Sequence, residues 1–118
     1  MGFLRIKARI WNVEDLSRAT EVELLADTGA IYTVLPSSLL KSLGVKPIGR
    51  RRFRLTDNRI VERDIGVIGI QIGDRWSYTP VVFGDEGVYI LGAVTLEELG
   101  LEVDPVKGVL KPAELLLF

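Results

Sequence analysis

One sequence pattern occurs twice in this chain. An apolar stretch runs into Gly-Ala, then a short helical segment, then Leu-Gly and another apolar residue. The first copy is Val22-Glu23-Leu24-Leu25-Ala26, Asp27-Thr28-Gly29-Ala30, a helix within 36–44 and Leu43-Gly44-Val45. The second is Val88–Leu91, Gly92-Ala93, a helix opening near Thr95 and Leu99-Gly100-Leu101. The chain thus carries an internal strand–turn–helix repeat, and only the first copy holds an acid at its turn.

The rest of the pattern is β-rich. Leu4, Ile6, Ala8 and Ile10 alternate with Arg5, Lys7 and Arg9, the period of a half-buried strand. The segment from Asn12 to Arg18 reads as a polar turn. Strands over 52–55 and 59–63 flank Thr56-Asp57-Asn58, a hairpin-turn signal. Further strands are expected over 66–72, 76–83 and 88–91, and a closing hairpin over 101–110. The first helix is expected to be capped by serine and ended by Gly44. The second is expected to open with a capping box from Thr95 to Glu98.

At 118 residues the chain is expected to form one domain over 1–118, with no linker or low-complexity segment. It has no cysteine and no histidine. Disulfides, thiolate catalysis, Ser-His-Asp chemistry and the commonest metal ligands are therefore excluded. Acid–base work is left to carboxylates, lysines and tyrosines. A net charge of -1 offers no global field for nucleic acid or anionic membrane, and no apolar run reaches membrane-spanning length. Charges interrupt Met1-Gly2-Phe3-Leu4-Arg5-Ile6-Lys7 at once, so no signal peptide is expected and the cytoplasm is the default location. Arg50-Arg51-Arg52 with Arg54 reads as a solvated rim rather than a phosphate-binding patch, and Asp85-Glu86 as a solvent loop. Trp11, Trp76 and Tyr78 read as core or interface packing. The apolar tail Leu115-Leu116-Leu117-Phe118 suggests docking.

Asp27 is the residue that packing explains least. It follows an apolar strand and precedes Ile31, Val34 and Leu35, a setting expected at the edge of a core, where a charge is costly. Leu24-Leu25-Ala26-Asp27-Thr28-Gly29-Ala30, with Ile90-Leu91-Gly92 far downstream, resembles the motif pair of retropepsin-like aspartic proteases. The likeness spans roughly residues 3 to 110. It implies an all-β fold: a closed, barrel-like single lobe of the acid protease type with two short helices, obligately homodimeric.

The resemblance also implies a chemistry. Two carboxylates a few ångström apart share one proton; one activates water while the other protonates the carbonyl oxygen. With one acid per chain, the pair needs Asp27 from each of two copies. Thr28 is expected to brace the two loops across the dimer, and Gly29 to permit the tight turn. Gly29 and Ala30 would bind the substrate main chain, and Val34 and Ile90 would wall the side-chain pockets. Asp57 and Asn58 would form the tip of a flap. Leu91-Gly92 would pack beneath the catalytic loop. No metal or cofactor is implied. The implied partners are a second copy and an extended peptide with apolar side chains near the scissile bond, cut best at acidic to mildly acidic pH.

The chain departs from many viral members in having Ile31-Tyr32 where they have two acids, and Ala93-Val94 where they often carry Arg-Asn. Its flap tip is polar and lacks a glycine run, a feature closer to non-viral, cellular and prokaryotic members. The alternative reading is a dimeric peptide-binding or scaffold module of the same fold with negligible turnover. A small barrel binding nucleic acid through its arginines is the more distant one.

Overall fold

The computed structural model describes residues 4–118; Met1, Gly2 and Phe3, the start of the N-terminal segment discussed above, lie outside the described residues. The strands are β1 (Leu4–Asn12), β2 (Asp15–Ala26), β3 (Thr33–Pro36), β4 (Gly49–Arg54), β5 (Ile60–Ile72), β6 (Arg75–Gly84), β7 (Ile90–Leu91), β8 (Leu101–Asp104) and β9 (Val109–Pro112). Two short helices, α1 (Ser37–Ser42) and α2 (Ala93–Leu99), follow β3 and β7.

The main sheet has the order β1-β2-β7-β3-β6-β5-β4, and β1 also pairs with β5, which closes the sheet on itself. A closed sheet has no free edge along the closed strands. The two halves of the repeat interlock inside it. β2 runs parallel to β7 and β3 runs parallel to β6, while β3 and β7 meet antiparallel at Val34 and Ile90. This interlock brings the end of β2, which carries Asp27, against the Leu91-Gly92 turn.

The alternation in β1 turns Ala8 and Ile10 inward and leaves Arg5, Lys7 and Arg9 exposed. Ile10, Leu24, Leu35, Leu40, Ile68, Ile70, Val81 and Leu91 form a fully buried core with Phe83 and Leu96. Each such side chain contributes about 1.5–3 kcal/mol relative to exposure.

The turn expected over Asn12–Arg18 is much tighter. β2 begins at Asp15, and buried Asn12 closes the turn by donating Nδ2–H to the Leu43 carbonyl at 2.9 Å and accepting the Glu14 N–H at 2.8 Å. The strands expected over 59–63 and 66–72 are one continuous strand, β5, and the strand expected over 88–91 is confined to Ile90–Leu91.

Neither helix is capped as expected. The residue preceding α1 is Pro36, with no side-chain cap, and Ser38 turns instead to the Glu86 carboxylate. Gly44 does end that helix, at φ +75°. In α2, Thr95 lies inside the helix, after Gly92 as cap, so the Thr95–Glu98 capping box does not form. Its hydroxyl is turned into the core, 2.5 Å from Thr33 Oγ1 and 2.8 Å from Thr79 Oγ1. The three buried hydroxyls satisfy one another, and Thr33 Oγ1 also accepts the Gly92 N–H at 3.1 Å. A buried polar trio of this kind is costly to break. Thr95→Val is therefore expected to lower stability by about 2 kcal/mol, the cost of orphaning buried hydroxyls, as read by urea unfolding. An unchanged midpoint would show the trio to be energetically neutral.

The helix C-termini are served by one arginine each. Arg18, from β2, donates to the Ser42 carbonyl at 2.8 Å, and Arg75, from β6, donates to the Leu99 and Gly100 carbonyls at 3.0 and 2.9 Å. A cation at a helix C-terminus satisfies orphan carbonyls and the helix dipole together. The two arginines thus do the same work at the ends of the two helices.

Candidate active site

The β2–β7 ladder makes its last bond at Asp27, whose carbonyl then turns back into its own loop. The Asp27 N–H donates to the Leu91 carbonyl at 3.0 Å, and the Asp27 carbonyl accepts the Ala30 N–H at 3.1 Å. The Asp27 carboxylate curls over its own turn, and Oδ1 accepts the Gly29 N–H at 2.9 Å. Backbone and side chain are thus fixed at three points. Oδ2 meets no donor among the described residues.

Asp27, Thr28 and Gly29 are all exposed. The expectation of an acid at a core edge is corrected here: in the single chain the turn projects beyond the barrel, and the carboxylate meets solvent. The Thr28 hydroxyl has no hydrogen-bond partner among the described residues.

The other half of the repeat supports the turn from below. Ala93 and Val94 donate their N–H groups to the Ala30 and Ile31 carbonyls, each at 2.9 Å. Gly92 lies directly against the backbone of Ile31 and Tyr32. A Cβ there would stand 2.3 Å from the Tyr32 carbonyl carbon and 2.5 Å from its oxygen, so only glycine fits. With the Ala30 and Ile31 carbonyls engaged, the Gly29 carbonyl is an acceptor that no N–H of the described residues reaches.

Val34 and Ile90, expected as pocket walls, are half-buried neighbours across the β3–β7 contact. Val34 Cγ1 covers Gly84, where a Cβ would meet it at 2.3 Å. The site residues Asp27, Gly29, Ala30, Val34 and Ile90 are therefore gathered at one end of the interlocked strands.

Asp57 and Asn58 are set apart from this cluster. They form the tip of the β4–β5 hairpin, with Asn58 at φ 70° and their hydrogen bonds running within the hairpin. Asp57 accepts the Arg59 N–H at 3.0 Å and Arg59 Nε–H at 2.7 Å, and these bonds hold its carboxyl below the usual 3.8. A lowered folded-state value means that the carboxylate's contribution to the tip is complete above the ordinary pKa and is lost as pH falls through the lowered one. The Arg59 amide resonance is expected to titrate with a midpoint below 3.8. A midpoint at or above that value would show that the tip is not held this way.

What joins the hairpin to the loop is a contact the sequence reading missed. Tyr32 packs edge-on against Phe53 of β4, with centroids 6.0 Å apart, and its hydroxyl accepts Arg51 Nη1–H at 2.8 Å. The signal was the alternation in β4, which separates Arg51 and Phe53 from Arg50, Arg52 and Arg54.

Elsewhere, Asp85 pairs with Arg63 at 3.4 Å and Glu86 with Ser38, so that acidic loop is tied to β5 and α1. Trp11 is buried against Gly69, whereas Trp76 and Tyr78 are exposed beside it. Leu115, Leu116, Leu117 and Phe118 are exposed in the single chain. No group of three or more acidic side chains among the described residues could hold a metal ion, and no described helix is long and apolar enough to cross a membrane.

The geometry has counterparts. A family model described as aspartyl protease matches residues 11–103. The solution structure of simian foamy virus (mac) protease is similar, with a TM-score of 0.58 at 16% identity, covering 79% of this chain and 91% of the viral one. Comparison with curated protein sequences finds no match.

Proposed function

The chain belongs to the aspartyl protease family, and from that premise we propose that residues 1–118 form one retropepsin-like endopeptidase unit, active as a homodimer with Asp27 of each copy in a shared dyad. The observation that carries this reading is the Asp27 carboxylate itself. It is exposed, one oxygen is held by Gly29 N–H, and the other is left to act. A single carboxylate cannot both take a proton from water and give one to a carbonyl oxygen. Two that face each other across a twofold axis can, because close like charges hold one proton between them.

The parts then have definite tasks. The ionised Asp27 removes a proton from the attacking water, and the protonated copy donates to the scissile carbonyl oxygen. The hydrogen bonds to Leu91, Ala30 and Gly29 keep the carboxylate oriented without reorganisation during the reaction. The open Gly29 carbonyl accepts a substrate N–H, and Ala30 lines the same strand of contacts. Val34 and Ile90 offer apolar walls, so the preferred substrates are extended peptides with apolar residues beside the scissile bond. The hairpin tipped by Asp57 and Asn58 closes over the peptide as a flap and excludes water. Thr28, exposed in one chain, hydrogen-bonds to its partner's loop. The exposed Leu115–Phe118 tail belongs to the dimer face, where its apolar area is covered. No metal or cofactor takes part, and the cytoplasmic location expected from the sequence belongs to the same proposal.

Mixing tests the shared site. When wild-type chain is exchanged with an equal amount of Asp27→Asn chain, activity is expected to fall to about a quarter of that of the same total amount of wild type, because only wild-type pairs hold a working dyad. A value of about half would mean that each chain acts alone.

A further inference from the structure

The arginines of β4 are the sequence feature that the proposed reaction leaves unused. Their pairing with β5 sorts them into two faces. On one face Arg50 stands opposite Asp64 and Arg52 opposite Glu62. On that face Arg50 is the arginine that reaches both acids, Asp64 at 2.8 Å and Glu62 at 3.9 Å. On the other face Arg51 stands opposite Arg63, and Phe53 opposite Val61.

Like charges directly across a strand pair are unfavourable unless an anion lies between or beside them. Arg63 is turned toward the exposed Asp85 at 3.4 Å. Arg51 forms no ion pair with a carboxylate among the described residues. It is nonetheless held in place. One N–H donates to the Tyr32 hydroxyl, and the guanidinium carbon sits 5.9 Å from the Tyr32 ring centroid, with Phe53 against the same ring. Of its five donors, most remain free.

The position is as telling as the charge. Tyr32 lies five residues beyond Asp27, on the segment whose backbone rests on Gly92. The unpaired guanidinium therefore stands where the β4–β5 hairpin meets the loop that carries Asp27, which on the protease reading is beside the bound peptide. A planar fork held against an aromatic ring favours a carboxylate, which can accept two parallel N–H bonds and offset the Arg51–Arg63 repulsion.

Building on the protease reading, we propose that Arg51, seated on Tyr32 and backed by Arg63, is a specificity subsite for an acidic side chain of the peptide substrate. The substrates are then mixed in character, apolar at the scissile bond and carrying Asp or Glu at one flanking position.

The test separates recognition from turnover. Fluorescent peptides that differ only in Glu or Gln at each flanking position are titrated into the Asp27→Asn protein, and binding is read by anisotropy. At one position Glu is expected to bind roughly tenfold tighter than Gln. In the same background Arg51→Gln should bring that ratio close to one, and Arg51→Glu should reverse it in favour of Gln. Equal binding of the two peptides at every position, binding of neither, or a ratio that Arg51→Gln leaves unchanged would overturn the subsite. Failure of the protein with intact Asp27 to cleave any of these peptides would instead overturn the protease reading.

Discussion

Asp27→Asn is expected to lower kcat/KM for peptide hydrolysis by roughly 10³-fold or more, while leaving fold and melting temperature close to those of the parent; removing an acid–base pair typically costs 10²–10⁴-fold. The loss follows from the dyad's logic. Asparagine keeps the shape of the side chain, and its amide oxygen can still accept the Gly29 N–H that Oδ1 now accepts at 2.9 Å. It cannot exchange a proton with water or with a carbonyl oxygen. Stability should change little, because the Asp27 side chain is exposed in the single chain and its one intrachain hydrogen bond survives. Steady-state kinetics on an apolar peptide, alongside thermal unfolding, measure both. Hydrolysis by the purified variant at the parent's rate would remove Asp27 from the chemistry.

The second large effect is expected from Gly92→Ala. The added methyl carbon would lie 2.3 Å from the Tyr32 carbonyl carbon, 2.5 Å from its oxygen and 2.8 Å from the Ile31 oxygen. All three are backbone atoms, so no side-chain rotation relieves the contact. The turn must move away, and with it the hydrogen bonds from Ala93 to Ala30 and from Val94 to Ile31. Overpacking of this kind costs about 3 kcal/mol. For a domain of this size that corresponds to a fall in melting temperature of roughly 10 °C. Activity should fall further than stability does at temperatures where the variant is folded, since the displaced segment is the one that carries Asp27. A variant that melts and cleaves like the parent would mean that the second half of the repeat does not support the Asp27 turn.

Much of this arrangement was legible in the sequence where the determinants are local. The alternation in β1, the Asp57-Asn58 turn and the two short helices each follow from neighbours within a few residues, and each appears in the fold, although β3 stands between Gly29-Ala30 and the first helix where Gly92-Ala93 leads straight into the second. The misreadings concern partners far along the chain. Thr95 and Glu98 satisfy a capping-box spacing, yet Thr95 is spent on Thr33, 62 residues away, because a core hydroxyl outranks a helix cap. Arg18 and Arg75 reach carbonyls 24 residues on, which no local rule anticipates. The exposure of Asp27 was hidden for a related reason. Its flanking residues are apolar because β2 and β3 are core strands, but the turn between them projects past the barrel's end. Likewise, the arginines of β4 read as one charged run until the β5 register divides them between two faces, Arg50, Arg52 and Arg54 on one and Arg51 opposite Arg63 on the other.

The central claim is that two Asp27 side chains work together, and one measurement bears on it most directly: the separation of the two Asp27 carboxyl groups in a crystal structure of the assembled protein. Oxygens about 3 Å apart across a twofold axis, close enough to share one proton, are the expected result. A monomer, or a dimer whose two Asp27 carboxylates face away from each other, would contradict it.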